Sequence, residues 1–318
     1  MNKLVTVIMS TYNEEERHLR TAIDSILNQT YKNIEFIIIL DNPLNQNILD
    51  ILNDYKQRDE RITIIVNKRN LGLAESLNKG LSIAKGDYIA RMDADDISVE
   101  NRIEKQIDFL EKNSSWDIVA CNVSVIDEND KVITSDFKVP KNFRQLKRIL
   151  RYGNPVVHPS VVMKRSVLIK LNGYRDFPVA QDYDLWLRAV EAGFKIFVLD
   201  EKLIYYRIRE NGISVSNAYK QYLLAKYAKQ LFYERKKTGK DQFSKQNLEL
   251  FLNRHKYYDK KRQEQFNKSR KYLFDGISML QSGRLFSGVK MIGKALLIDE
   301  EMINLLFSSV MFKLSYFL

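Results

Sequence analysis

Three carboxylates fall within four positions in Asp93-Ala94-Asp95-Asp96, directly after the apolar run 88–92. Left unpaired, charges of one sign this close repel strongly. A hard divalent cation, Mn²⁺ or Mg²⁺, removes that repulsion and joins one or two protein carboxylates to phosphate oxygens. An EF-hand beginning at Asp93 would have Asp95 third and Glu104 twelfth. Its fifth and sixth positions are Ile97 and Ser98, however, where a ligand and a glycine are needed. The competing reading is an acidic helix N-terminus, with Asp95 or Asp96 capping a helix that starts near Ser98. Capping needs one carboxylate rather than three, so the pattern favours a metal.

Two weaker clusters follow other strand-like runs. Ser10-Thr11-Tyr12-Asn13-Glu14 gathers hydroxyl, aromatic and amide groups that suit a base or a ribose, although the same residue types cap helices. Leu40-Asp41-Asn42-Pro43 carries one carboxylate able to accept a hydrogen bond from a base N–H, or to sit in a plain turn. The chain contains neither Gly-x-Gly-x-x-Gly nor a P-loop pattern, which argues against Rossmann dehydrogenases and P-loop kinases.

These clusters need a scaffold that brings strand ends together. Runs 4–9, 34–40, 62–66 and 88–92 are apolar and rich in β-branched residues, as buried strands are. Between them, 19–27, 48–55 and 73–84 repeat apolar residues at helical spacing. The alternation implies a parallel sheet covered by helices on both faces, with ligands beyond the carboxyl ends of its strands. Further strands are expected at 118–126, 161–163 and 203–207, and a helix at 183–192. From about Asn217 the β signal stops, and helical patterns cover 217–237, 262–281, 285–297 and 302–318. The last places Ile303, Leu306, Phe307, Val310, Leu314, Phe317 and Leu318 on one face; it is shorter than the ~20 apolar residues of a membrane span, so an amphipathic helix is expected.

Charge divides the chain at the same place. Residues 220–318 hold 20 Lys/Arg and 9 Asp/Glu, and the other residues balance, so the whole net charge of +11 lies in the tail. Such a tail suits an anionic partner (nucleic acid, acidic lipid or a polyanionic acceptor) or is simply a solvated helical surface. Cys121 is the single cysteine and sits among apolar residues, which excludes an internal disulfide and fits a buried thiol in a reducing compartment. Met1-Asn2-Lys3 runs straight into a strand-like stretch, so no secretory leader is expected.

Taken in order, Thr11-Tyr12-Asn13-Glu14, a Glu35-led strand into Asp41, Asn70-Leu71-Gly72-Leu73, and Asp93-Ala94-Asp95-Asp96 resemble the family 2 glycosyltransferases of the GT-A fold. His158-Pro159-Ser160, the run from Gln181-Asp182-Tyr183-Asp184 to Arg188, and Tyr205-Tyr206-Arg207 extend the resemblance to about residue 215. It implies an α/β fold with a mostly parallel sheet flanked by helices over 1–216, and a basic helical extension over 217–318. It also implies a metal-dependent transfer from a UDP- or dTDP-linked sugar to an acceptor hydroxyl, with inversion, in surface-glycan biosynthesis. Thr11, Tyr12, Asn13, Asp41 and Asp93 would line the nucleotide site; Asp93 and Asp95 would hold Mn²⁺ or Mg²⁺; Asp182 would be the general base. Trp186 fits the helix core better than the acceptor side. The expected partners are the nucleotide-sugar donor, a glycan or lipid-linked glycan acceptor, and an anionic membrane surface met by the tail; nucleic acid is not among them. The expected location is cytoplasmic, with a peripheral place on the inner face of the cell membrane. Three positions depart from the family pattern: Asn42-Pro43 in the base-side loop, Leu77 in place of an arginine, and Gln181 in place of a glutamate. The alternatives are a nucleotidyltransferase, which would need a glycine-rich loop after the first strand, and a non-catalytic sugar-nucleotide-binding or membrane-scaffold protein, which would not need Asp95 or Asp182.

Overall fold

The computed structural model describes residues 3–135, 137–208 and 217–317, in two compact units. The first comprises Met1–Lys147 and Asn154–Glu210, and the second Arg148–Gly153 and Asn211–Leu318. The boundary expected at 216/217 falls beside residues 209–216, and the Leu318 end of the apolar face likewise lies outside the described residues.

In the first unit, β1 (Val5–Thr11), β2 (Ile34–Leu40), β3 (Ile62–Val66) and β4 (Tyr88–Asp93) alternate with α1 (Glu16–Leu27), α2 (Gln46–Arg58) and α3 (Leu73–Ile83), as the periodicity predicts. Then come β5 (Ile97–Ser98), α4 (Arg102–Lys112), β6 (Ile118–Ile126), β7 (Val132–Thr134), α5 (Phe143–Ile149), β8 (Val162–Lys164), α6 (Arg165–Lys170), α7 (Gln181–Glu191) and β9 (Ile196–Arg207). The sheet order is β3-β2-β1-β4-β8-β6-β9-β5, with β7 on β6. The β3-β2-β1-β4 half is parallel; β8 and β5 run antiparallel to their neighbours, so the second half is mixed rather than parallel throughout. Ile97–Ser98 is a strand and α4 starts only at Arg102, so neither Asp95 nor Asp96 caps a helix.

Alternation along the strands divides the sheet's two faces. Val5, Val7 and Met9 of β1, Phe36, Ile38 and Leu40 of β2, and Ala90 and Met92 of β4 join one core with α1, α2 and α4. The intervening residues face the other side, where α3 packs so closely that a Cβ on Gly80 would meet Ile8 Cγ2 at 2.8 Å. The chain leaves β1 towards β2 and β3, then returns to β4 on the opposite edge of β1. The crevice at that switch point has Ser10 paired with Asp93 on one side of β1 and Thr11 paired with Leu40 on the other. Open α/β sheets bind their ligands in such a crevice.

The second unit contains α8 (Ala218–Thr238), α9 (Lys245–Arg254), α10 (Lys260–Gln281), α11 (Leu285–Ile298) and α12 (Glu301–Leu314). Helix α9 has no counterpart in the sequence reading: it is one short turn-bounded segment, capped when Ser244 Oγ accepts from Asn247 N at 3.0 Å. Ion pairs and rings join these helices. Arg262 holds Asp299 (2.5 and 3.0 Å) and lies over the Tyr219 ring, while Glu301 accepts from Tyr222 and Lys226. Among the described residues no helix is long and apolar enough to cross a membrane.

Gly86 leads into β4 where the backbones of β1 and β4 converge: a Cβ there would lie 2.5 Å from Thr6 N and 2.8 Å from Tyr88 O. Neither backbone atom can swing aside, so Gly86→Ala is expected to lose about 1–3 kcal/mol of stability, read as a lower urea midpoint at unchanged slope.

Candidate active site

Asp93, Asp95 and Asp96 do not converge as one trio. Asp93, on the same side of β4 as Arg91, forms an ion pair with that arginine's buried guanidinium. Asp96 turns inward and is buried; its Oδ1 accepts from Arg207 N at 2.8 Å and its Oδ2 has no hydrogen-bond partner. Burial, with the charges of Asp93 and Asp95 added, holds the Asp96 carboxyl well above the usual carboxylate range. Asp93 and Asp95 keep partial exposure at the strand end. Arg207 locks this corner: Nε donates to Asp95 O and Nη1 to Asp127 O, both at 2.8 Å, and Nη2 pairs with Asp130 at 2.5 Å. Asp130 also binds Arg17, which ties the 127–131 turn to α1.

Among the described residues no group of three or more His, Cys, Asp or Glu side chains forms a metal cage. The donor set nevertheless fits Mn²⁺ or Mg²⁺ shared with a substrate. Two partly exposed carboxylates at one strand end are what such an ion takes from a protein when phosphates supply the rest. The like-charge burden on Asp96 is the repulsion that a cation would offset.

The residues expected to line a nucleotide site occupy the adjoining strand ends. Thr11 is buried and donates to Glu14 Oε2 (2.5 Å), which also takes Tyr12 N (2.7 Å), so Glu14 fixes the turn after β1. Tyr12 leaves its ring exposed, a surface on which a base can stack. Asn13 Oδ1 accepts from Asn42 (2.6 Å) and Asn45 (3.0 Å), bracing the β1 turn against the loop after β2. Asp41 is more heavily engaged than its sequence context indicates. Its Oδ1 accepts from Asn67 Nδ2 and Leu71 N (2.7 and 2.8 Å), and its Oδ2 from Gly72 N (2.8 Å). The side chain thereby holds the Asn70-Leu71-Gly72 loop and leaves Oδ2 as the oxygen with capacity to accept a base N–H. Gly72 has φ +82° and ψ 165°, a conformation open essentially to glycine. Leu77 is buried against the sheet, and Lys79, two positions on, donates to Asn67 Oδ1 (2.8 Å).

Asp182 stands in the first turn of α7, after Ala180 in the left-handed region (φ 61°). Asn154 Nδ2 donates to its Oδ2 at 2.8 Å. Desolvation pushes its carboxyl up to about 6, against the backbone N–H groups of Tyr183 and Asp182 and the Asn154 amide; the charge of Asp93 adds to the rise. Asp93 and Asp182 therefore act within one electrostatic site. Beneath them, His158 Nε2 meets Tyr174 Oη at 2.9 Å, and burial together with Arg91 holds His158 neutral, well below its ordinary value. Trp186 is fully buried in an edge-to-face contact with His158, a core residue as its helix neighbours imply. Asp184 is structural too, pairing with Arg188 (2.7 Å), which in turn binds Leu171 O and Gly173 O.

Arg91, Asn154 and Tyr174 were not singled out from the sequence, and Arg207 entered only as the end of the Tyr205-Tyr206-Arg207 motif, with no role attached. Arg91 was detectable, because a charged residue in the middle of a buried strand needs a partner. Asn154 carried no signal, since only the fold places it beside Asp182.

Residues 6–171 match the family described as Glycosyl transferase family 2. An uncharacterized glycosyltransferase of Methanocaldococcus jannaschii, MJ1057, is 40% identical over 235 residues, covering 74% of this chain and 81% of that protein. The Escherichia coli O-antigen biosynthesis glycosyltransferase WbnJ is 33% identical over 236 residues, covering 73% and 90%. Another E. coli protein, the UDP-Glc:alpha-D-GlcNAc-diphosphoundecaprenol beta-1,3-glucosyltransferase WfaP, is 34% identical over 221 residues, covering 69% and 82%. Among solved structures, S. aureus TarS 1-349 in complex with UDP superposes with a TM-score of 0.59 at 15% identity, covering 98% of this chain and 89% of that one. A longer TarS structure gives 0.58 at 15% identity, and there this chain spans about half (54%) of the other. At that identity the likeness establishes a shared GT-A architecture.

Arg207 satisfies two backbone carbonyls with a fully buried side chain. Each buried carbonyl left unpaired costs about 1–3 kcal/mol. Arg207→Met is therefore expected to lower stability by at least about 2 kcal/mol in denaturant titration and to weaken nucleotide binding by calorimetry. Arg207→Lys should recover little of either, because one ammonium cannot span the separate acceptors.

Proposed function

This chain belongs to glycosyl transferase family 2, and on that premise we propose that it transfers a sugar from a UDP- or dTDP-linked donor to an acceptor hydroxyl, with inversion, in surface-glycan biosynthesis. The observation that carries the reading is Asp182, a carboxyl poised at about 6 within the field of Asp93. A base works best when its pKa lies near the operating pH. In this mechanism the ionised Asp182 takes the proton of the acceptor hydroxyl. The acceptor oxygen bonds to the anomeric carbon from the face opposite the diphosphate. The bond from that carbon to the diphosphate oxygen breaks, and its electron pair leaves with the nucleoside diphosphate.

Asn154 and the α7 N-terminus orient the base. Tyr12 stacks the donor's base, Asp41 Oδ2 reads its N–H, and Thr11 and Asn13 shape the floor through their turns. Asp93 would reach the ribose or the cation, and Asp93 and Asp95 would hold Mn²⁺ or Mg²⁺. When bound, that ion supplies positive charge to the leaving diphosphate, usually a large share of catalysis. Support for a uridine donor comes from the UDP in the TarS structure and from the UDP-Glc in the name of WfaP. The name of WfaP likewise supports a lipid-linked glycan acceptor.

Asp182→Asn should retain donor affinity and lower the transfer rate by about 10²–10⁴. In the wild type, kcat should fall as pH drops through about 6, where Asp182 takes up its proton. Stability has the opposite sense. A carboxyl raised in the folded state favours folding below its unfolded pKa near 3.8 and loses that contribution as pH rises to about 6. Asp182→Asn should therefore unfold at a higher temperature than wild type at pH 8 and match it below pH 4 (~pH values bracketing the shift). Lost donor affinity at unchanged turnover, or a retained anomeric configuration in the product, would remove Asp182 from the role of base.

Asp95→Asn should abolish turnover with the circular-dichroism spectrum unchanged, and EDTA should inhibit the wild type reversibly. Full transfer by metal-stripped protein in EDTA would end the metal assignment.

A further inference from the structure

Helix α12 carries an uncovered apolar row. Ile303, Phe307, Val310, Leu314 and, just past the helix, Phe317 recur at intervals of four, three, four and three residues, and every one is exposed. Phe307 keeps 60% of its surface even with its ring edge against Tyr152. Helix α11 adds Phe286 and Leu297, 86% and 90% exposed. The helix has a second, occupied side: Met302 and Ser315 are buried, and Glu301 is held by Tyr222 and Lys226. One row therefore packs within the unit while another faces outward, and contiguous apolar surface of this kind marks an interaction site.

The charges beside that row select the occupant. From Leu285 to Phe317 the exposed charged residues are Lys290, Lys294, Lys313 and Glu300. Asp299 and Glu301 are neutralised within the unit by Arg262 and Lys226. A second copy meeting this face symmetrically would bring lysines against lysines with almost no acid to answer them. An anionic bilayer instead takes the aromatic and aliphatic row into its headgroup boundary and the lysines among its phosphates.

We propose that α11 and α12 form a monotopic docking face for an anionic lipid surface, with the row from Ile303 to Phe317 lying in the interface. At 14 residues α12 lies along the bilayer rather than crossing it. The face would bring a nucleotide-sugar enzyme to a lipid-linked acceptor, so its purpose rests on the proposed function. Its test needs neither donor nor acceptor, and failure here leaves the transfer reading untouched.

The experiment is co-sedimentation of the full chain with phosphatidylcholine vesicles, with and without phosphatidylglycerol, at low and high salt. Three proteins are compared: wild type, Phe307→Ser with Leu314→Ser, and Lys290→Glu with Lys313→Glu. Wild type should sediment only with phosphatidylglycerol and be released by salt. Each double variant should bind about tenfold less or weaker still, with unfolding midpoints near wild type because the substituted side chains are exposed. Three outcomes would overturn the proposal: no binding by wild type, equal binding by all three proteins, or a wild-type dimer in analytical ultracentrifugation that the serine pair dissolves.

Discussion

Burying positive charge under a crowded acidic strand end is the constraint on which the site depends. Asp93, Asp95 and Asp96 stand together at the carboxyl end of β4 and its turn, and such a cluster tends to disperse. Arg91 meets Asp93 from within the sheet, and Arg207 fastens Asp95 and Asp96 through backbone groups. Both arginines are buried, so removing their partners would leave a guanidinium uncompensated in the interior, which is costly. Asp96 relaxes the cluster further by turning inward, where burial favours its protonated form. The outcome is an ordered pair of partly exposed carboxylates at the switch point of the sheet.

The same arrangement links distant segments of the chain. Arg207 ends β9, Arg17 lies in α1, and both meet Asp130 in the turn between β6 and β7. Arg102 of α4 donates to Arg91 O and Pro159 O, which joins β4 to the His158-Pro159-Ser160 turn below Tyr174. The Tyr174 backbone in turn is held by the Asn78 side-chain amide of α3, whose Nδ2 donates to Tyr174 O at 2.8 Å and whose Oδ1 accepts from Tyr174 N at 2.9 Å. A displacement at one strand end is therefore resisted from four elements, and a site that binds charge in a partly dry crevice needs that rigidity.

Asp41 shows how one side chain can hold a whole loop in place. Three of its acceptor positions are filled by Asn67, Leu71 and Gly72, which sets the loop that walls the crevice. Asn42-Pro43, unusual for the family pattern, follows directly. Asn42 contributes by donating to Asn13, so this loop is braced by side-chain amides.

The sequence alone determined the alternation of strands and helices in the first unit, because buried parallel strands must be continuous apolar runs and their covering helices must repeat at 3.6 residues. Strands at 34–40, 62–66 and 118–126 matched to the residue. It also located the acidic strand end, the Asp182 turn and the basic tail, since composition and local order record those directly. Tertiary structure alone decided the reversal of β8 and β5, which depends on which sheet edge stands open rather than on any local pattern. It alone decided that Asp96 points inward while Asp93 and Asp95 remain partly exposed, because three neighbouring carboxylates of identical chemistry differ only in what surrounds them. The placing of Asn154 against Asp182, 28 residues apart, is likewise a product of folding. Local spacing records periodicity and residue type, whereas desolvation and charge pairing depend on neighbours that only the folded chain brings together.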